Sequence, residues 1–120
     1  MSNVAVLGAS SNPDRYSYKA VALLKEYGHN VFPVHPSGID VAGIKCYKTL
    51  SDIPESIDTI TLYLSEKNST PLLDEIISSK PKRIILNPGT ESKNLKEICN
   101  ENGINVIEAC TLVMLRTNQF

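Results

Sequence analysis

The sequence predicts an α/β domain in which an open parallel sheet of about five strands carries helices on both faces. Short apolar runs alternate with segments of helical periodicity along the chain. Because single helices separate these runs, the strands need crossover connections, which are typical of a parallel sheet. A length of 120 residues fits one compact domain spanning residues 1–120. Together these observations predict a three-layer, Rossmann-like architecture.

The first two predicted strands flank an amphipathic helix. The run Val4–Leu7 is wholly apolar, as expected for a strand covered on both faces. Gly28 supplies a C-terminal cap for the helix that follows. Val31–Val34 predicts the second strand, and Pro33, which has no N–H, indicates an edge position or an irregular end. The helix is predicted over Lys19–Tyr27, because four apolar residues recur there at helical spacing: Ala20, Leu23, Leu24 and Tyr27.

Three more strands and two more helices complete the predicted sheet. Ile57–Leu64 alternates apolar and polar residues and predicts a strand, and Arg83–Leu86 predicts another. Ser92–Asn102 predicts a helix that Gly103 ends, and Ile104–Ile107 predicts the last strand. Between the first two of these strands, Pro71 suits the first turn of a helix whose apolar stripe is Leu72, Leu73, Ile76 and Ile77.

Small and polar residues follow each predicted strand. In open parallel sheets, ligands bind beyond the carboxyl ends of the strands, so these loops are expected to share one site. The first loop, Gly8–Pro13, leads from a buried strand into a helix. Small residues there let backbone N–H groups approach an anion, and the helix N-terminus adds partial positive charge. The loop therefore predicts a phosphate-binding site and a nucleotide ligand.

The pattern of this loop and of the second strand narrows the class of nucleotide. The first loop has one glycine, Gly8, and no G-x-G-x-x-G, and the second strand ends in Val34-His35-Pro36 without the acidic residue that binds the ribose of NAD. No G-K-S/T sequence follows Gly8, which disfavours a P-loop ATPase. The pattern favours a ligand that is phosphorylated on or near its adenosine ribose.

Composition excludes several classes of function. A formal net charge of −1 with 21% charged residues disfavours nucleic acid as a partner. The sequence has no apolar run of the roughly 20 residues that a membrane span needs, and its N-terminus lacks a basic region followed by an apolar one. We therefore expect the protein to be located in the cytoplasm.

Nothing in the sequence forms a recognisable catalytic or metal-binding group. Cys46, Cys99 and Cys110 lack C-x-x-C spacing, so we expect buried reduced thiols, with Cys110 alternatively a reactive group in a pocket. The two histidines, His29 and His35, and the scattered carboxylates suggest no acid–base pair. The sequence thus predicts no catalytic residue and no metal site, and it favours binding over catalysis.

Several short segments, taken in order, carry a resemblance to a known family. The segment Gly28–Pro36 stands where the family usually has G-Y-x-V-x-P-V-N-P. The others are Val6–Ser10 with Asn12-Pro13, Gly43–Tyr47, Leu50–Pro54, Ile57-Asp58 and Asn87–Glu91. Over almost its whole length the chain resembles the small stand-alone CoA-binding proteins, whose fold is like the N-terminal CoA-binding domain of the succinyl-CoA synthetase alpha subunit.

The resemblance implies that CoA or an acyl-CoA lies across the carboxyl edge of the sheet. The implied contacts fall into three groups. At the pyrophosphate are the N–H groups of Gly8, Ala9, Ser10 and Ser11, with Asn12 in the same loop. At the adenosine end are His35, Pro36 and Ser37, and along the pantetheine arm are Asn87, Pro88 and Gly89. Arg15 and Lys19, near the start of the first helix, are electrostatic candidates for binding a phosphate group. Tyr16 and Tyr18 are candidates for covering the ligand or for burial.

The chain departs from the family in two places. The synthetase domain has a lysine just after its Asn-Pro, where this chain has Ser37-Gly38, so one phosphate-pairing charge is missing. Cys110 is followed by an apolar segment, which is expected to pack on the sheet or against a second subunit as a homodimer. Two alternatives stay open: an NAD(H)-binding redox sensor or small oxidoreductase, and an interaction module whose nucleotide site is vestigial.

Overall fold

The computed structural model describes residues 2–120 and has the predicted α/β architecture. Five parallel strands form one sheet in the order β2-β1-β3-β4-β5. The strands are β1 (Asn3–Leu7), β2 (Asn30–Val34), β3 (Thr59–Leu62), β4 (Arg83–Leu86) and β5 (Asn105–Glu108). The helices are α1 (Tyr16–Glu26), α2 (Glu66–Ser69), α3 (Leu73–Ser78), α4 (Lys93–Glu101) and α5 (Thr111–Arg116), with 3₁₀ turns at Leu50–Asp52 and Thr70–Leu72. Because β2 and β3 flank β1 on opposite sides, the chain order reverses at β1.

Two hydrophobic cores, one on each face of the sheet, make the three layers. On one face, side chains such as Leu62 pack against Ile76 of α3 and Leu95 of α4. On the other face, the β1 side chains Val4 and Val6 pack against residues of α1 and α5: Val21, Leu24 and Leu115. Full burial of one such side chain contributes about 1.5–3 kcal/mol, so both helical layers are held firmly to the sheet.

The second strand lies at the edge of the sheet, as Pro33 predicts. The carbonyl of Pro33 points away from β1 and accepts a hydrogen bond from Tyr47 N at 2.9 Å. The missing N–H of Pro33 therefore falls on the outer side of β2, where no ladder bond is lost. The N–H of His35 closes the same contact by donating to Tyr47 O at 2.9 Å. The segment around Tyr47 thus covers the carboxyl end of the edge strand.

Several details of the predicted elements are wrong. The third strand runs from Thr59 to Leu62 rather than from Ile57 to Leu64, because the chain turns away after Tyr63 N donates to Leu7 O. The first helix begins at Tyr16, three residues before the predicted Lys19. Tyr27 does not join the apolar stripe of α1: it follows the last helical residue and is 49% exposed.

The apolar segment after Cys110 packs within the chain. Its helix, α5, lies beside α1 and buries Leu112 and Leu115, whereas Val113 is exposed. Of the three cysteines, Cys46 and Cys99 are buried and Cys110 is partly exposed. Within residues 2–120, no helix is both long enough and apolar enough to span a bilayer.

Candidate functional site

A cleft of about 590 Å³, called the first cleft below, opens beyond the carboxyl ends of β1, β3 and β4. It lies at the point where the strand order reverses, which is where open parallel sheets bind ligands. The loop after β1 and the start of α1 form one wall, and the loops after β3 and β4 form the other. Its lining residues are Gly8, Ala9, Ser10, Asp14, Arg15, Tyr16, Ser17, His35, Tyr63, Leu64, Ser65, Pro88, Gly89 and Thr90.

Gly8 allows the first loop to turn tightly against the loop after β3. Its φ is +91°, a conformation that L-residues with side chains rarely adopt. A Cβ atom at this position would lie 2.8 Å from Cγ and Cδ2 of Leu64 and 3.1 Å from the carbonyl carbon of Tyr63. The glycine is therefore required by backbone conformation and by packing between two walls of the cleft.

The hydrogen-bond donors of this loop differ from those expected. The N–H groups of Gly8 and Ala9 both donate to Val34 O, at 3.0 and 3.1 Å, so these two groups are not free in this structure, and their role at a phosphate stays a prediction. The sequence could not show that one carbonyl of the edge strand takes both donors. The N–H groups of Ser10 and Ser11 have no partner among residues 2–120.

The N-terminus of α1 supplies further donors. Arg15, the residue that precedes this 11-residue helix, makes no side-chain capping bond, so the first-turn N–H groups are left for water or a ligand. The side chain of Asn12 instead caps a turn by accepting from Asp14 N at 3.0 Å. Open N–H groups at a helix N-terminus form an anion-binding surface.

The first cleft is lined by both a positively and a negatively charged side chain. Arg15 and Asp14 both line it, so the guanidinium is the positive group placed to meet a phosphate. Lys19 lies outside the cleft, with its Nζ 5.6 Å from the centre of the Tyr16 ring. Tyr16 itself lines the cleft mouth and is 70% exposed.

Tyr63 forms part of the cleft floor, and sequence reasoning did not single it out. Its hydroxyl is buried and has no hydrogen-bond partner within the described part of the chain. Burial raises the pKa of Tyr63 to about 12, so the phenol is neutral near pH 7. The only signal in the sequence was the position of Tyr63 next to the end of the alternating segment Ile57–Leu64.

Asn87 organises the loops rather than lining the cleft. Its buried side chain donates to Thr61 Oγ1 at 2.7 Å and to Leu62 O at 2.9 Å, and its Oδ1 accepts from Thr111 N at 2.9 Å. Thr61 Oγ1 also lies 2.7 Å from Thr111 Oγ1. This network joins β3, the loop after β4 and the start of α5, and it holds the exposed Pro88 and Gly89 at the cleft wall.

A second, smaller cavity of about 330 Å³, called the side cavity below, adjoins the first cleft beyond the end of β2 and shares Gly8, His35 and Leu64 with it. The ring of His35 is held by Ser37, whose N–H donates to Nδ1 at 3.0 Å and whose Oγ lies 2.8 Å from the same nitrogen. Mainly apolar atoms line this cavity. The lining residues are Leu7, Gly8, Val34, His35, Pro36, Lys48, Thr49, Leu64, Asn68, Leu72 and Glu75.

A comparison with known protein families identifies the domain. The family model described as a CoA binding domain matches residues 2–116, which is nearly the whole chain. The chain belongs to the CoA binding domain family.

The CoA binding domain has similar relatives both as a separate chain and within larger proteins. It is 30% identical over 115 residues to the alpha subunit of the ADP-forming acetate–CoA ligase II of Pyrococcus furiosus, and the match covers 87% of this chain and 25% of that subunit. The chain thus spans about a quarter of that relative's length.

Two solved structures share the fold over nearly the full length of both chains. A crystal structure of an uncharacterized protein is 42% identical, with a TM-score of 0.94, and the match covers 100% of this chain and 98% of the other. The structure of cell-free ID.343 from Thermus thermophilus is 26% identical, with a TM-score of 0.90, and the match covers 99% of this chain and 90% of the other.

The CoA binding domain brings together some, but not all, of the residues that the sequence singled out. Gly8 and His35 line both cavities. The first cleft also holds Ala9, Ser10, Arg15, Pro88 and Gly89, and the side cavity holds Pro36. The residues that line neither are Ser11, Asn12, Lys19, Ser37 and Asn87. Among the described residues, no cluster of His, Cys, Asp or Glu side chains is arranged to hold a metal ion.

Proposed function

We propose that this CoA binding domain binds CoA or an acyl-CoA across the first cleft and the side cavity. The pyrophosphate meets the free N–H groups of Ser10 and Ser11 and the N-terminus of α1. The adenosine end enters the side cavity beside His35 and Pro36. The pantetheine arm follows the exposed loop after β4.

The observation that carries this proposal is that two unlike cavities adjoin each other. Ser10, whose N–H has no partner among the described residues, lines the first cleft, and the side cavity is mainly apolar. They share Gly8, His35 and Leu64, and the proposal places one elongated ligand across both. CoA has this layout, with charged phosphates between an adenosine and a long flexible arm.

The charge of Arg15 suits the same arrangement. Phosphate oxygens bind most strongly to charged donors, and a guanidinium offers several N–H groups in a fixed plane. Arg15 lies where the positive end of the α1 dipole adds to its own charge. Lys19 has no such place, because it lies outside both cavities.

The proposed role is that of a non-enzymatic carrier, sensor or subunit in the cytoplasm. What supports a binding role is the family model over residues 2–116, which is described as a CoA binding domain. A homodimer stays a prediction, since α5 already buries Leu112 and Leu115 within the chain.

Isothermal titration of the full chain with CoA and with NAD⁺ tests the proposal. We expect CoA to bind at least ~10-fold more tightly than NAD⁺, which corresponds to about 1.4 kcal/mol. Tighter binding of NAD⁺ would instead favour the redox-sensor alternative. Failure of both ligands to bind at millimolar concentration would favour a vestigial site.

A matched pair of charge variants then locates the pyrophosphate. Arg15→Met removes one positive charge at the first cleft, and Lys25→Met removes one from the last turn of the same helix. We expect Arg15→Met to weaken CoA binding by roughly fivefold, or about 1 kcal/mol, because a partly exposed charge pair is screened by solvent. Lys25→Met should leave the affinity unchanged. Equal effects of the two variants would contradict the placement.

A further inference from the structure

One lysine that the sequence did not single out reaches the side cavity from a distant segment. Lys48 lies 13 residues after His35, yet it lines the same cavity as His35 and Pro36. The hydrogen bonds between Tyr47 and the end of β2 bring this segment back along the edge strand. Among the described residues, Lys48 is the one lysine or arginine whose side chain lines this cavity.

Gly38 makes the room that the Lys48 side chain occupies. A Cβ atom at Gly38 would lie 3.1 Å from Cε and 3.3 Å from Cγ of Lys48, so the stem of the lysine runs directly over the glycine. The φ of Gly38 is +66°, which any other residue would adopt only with strain. The loop Ser37-Gly38 lacks the lysine that the synthetase domain has there, but its glycine leaves space for the side chain of Lys48 from a neighbouring segment.

The positive charge of Lys48 is not neutralised by an acidic partner. Within residues 2–120, the ion pairs are Lys82 with Asp58 and Lys96 with Glu108. Glu75 also lines the side cavity, but its Oε1 accepts hydrogen bonds from the N–H groups of Leu50 and Ser51. The ammonium group of Lys48 is thus free to meet an anion.

We propose that Lys48 binds the phosphate group on the adenosine ribose of CoA and so makes the site prefer CoA over dephospho-CoA. This inference rests on the proposed function, which puts the adenosine end in the side cavity. A phosphate monoester carries about −1.5 to −2 charges near pH 7, whereas dephospho-CoA has a neutral hydroxyl at the same position. An unpaired lysine beside the ribose distinguishes these two ligands through that charge alone.

Isothermal titration of the full chain with CoA and dephospho-CoA, at one fixed ionic strength, tests the inference. The variants are Lys48→Met and, as a matched control, Lys45→Met. Lys45 is three residues away and lines neither cavity, and its Nζ lies 5.1 Å from the centre of the Tyr47 ring. Both lysines are exposed, so neither change is expected to unfold the protein.

We expect the natural chain to prefer CoA by ~10-fold and Lys48→Met to reduce that preference to about twofold or less. Lys45→Met should retain the preference, and Lys48→Arg should restore most of it. A preference unchanged in Lys48→Met, or an equal loss for both ligands, would overturn the assignment. Equal binding of both ligands by the natural chain would overturn it while leaving CoA binding intact. Failure to bind either ligand would overturn the proposed function as well.

Discussion

Replacing Asn87 by alanine tests whether the loops of the cleft depend on one buried amide. The substitution removes three hydrogen bonds, of 2.7, 2.9 and 2.9 Å, made to Thr61, Leu62 and Thr111. Each contributes about 0.5–1.5 kcal/mol net, and a buried partner left unpaired costs about 1–3 kcal/mol. We therefore expect the free energy of unfolding to fall by about 3 kcal/mol, a large share of the roughly 5–15 kcal/mol that stabilises a domain.

Urea denaturation followed by circular dichroism measures this loss, and Asn94→Ala provides the control. Asn94 is exposed on α4 and takes part in no hydrogen bond of its side chain among the described residues. The same chemical change there is expected to alter the free energy of unfolding by less than about 0.5 kcal/mol. A difference between the two variants of under about 1 kcal/mol would refute the view that Asn87 ties the loops together.

Two further changes test other parts of the structure. Gly8→Ala adds a Cβ atom 2.8 Å from Leu64, whereas the control Gly103→Ala, at φ +76°, adds one in open space. We therefore expect Gly8→Ala to lower the free energy of unfolding, measured by thermal unfolding, by about 1–3 kcal/mol more than Gly103→Ala does. Equal losses of stability in the two variants would contradict the packing argument. The hydrogen bond that Asn3 N donates to Asp58, together with Lys82, lowers the pKa of Asp58 in the folded state. The ionised Asp58 carboxylate therefore stabilises the fold above about pH 4, and this stabilisation is lost as the pH falls through the lower folded-state pKa. Asp58→Asn is expected to remove this part of the acid sensitivity. If the urea midpoint of the natural chain did not change between pH 5 and pH 2, the stabilising role of Asp58 would be ruled out.

The order of strands and helices was predictable because it depends on local periodicity. The apolar run Ile84–Leu86 of β4 is buried in the sheet, and Pro33 indicates its own edge position by lacking an N–H. The position of the cleft followed from the same topology, because all parallel strands present their carboxyl ends at one edge.

The chemistry inside the cleft was less predictable, because it depends on contacts between distant segments. Nothing in the first loop shows that Val34 O accepts both expected phosphate donors, or that Asn87 turns inward to a threonine of β3. Lys48 reaches the side cavity only because Tyr47 bonds to the edge strand. Such residues carry no motif of their own, and their roles follow only from the folded chain.

The carbonyl of Val34 has a consequence for how the protein moves. It accepts hydrogen bonds from Gly8 N and Ala9 N, and Val34 lies in β2, one of the two edge strands of the sheet. Edge strands exchange their amide hydrogens through local opening more readily than central strands do. Local opening at the end of β2 would therefore also free the N–H groups of the first loop. The rigidity of this wall of the cleft depends on how firmly β2 is held by β1 on one side and by Tyr47 on the other, and a ligand bound across both cavities would slow amide exchange at this edge.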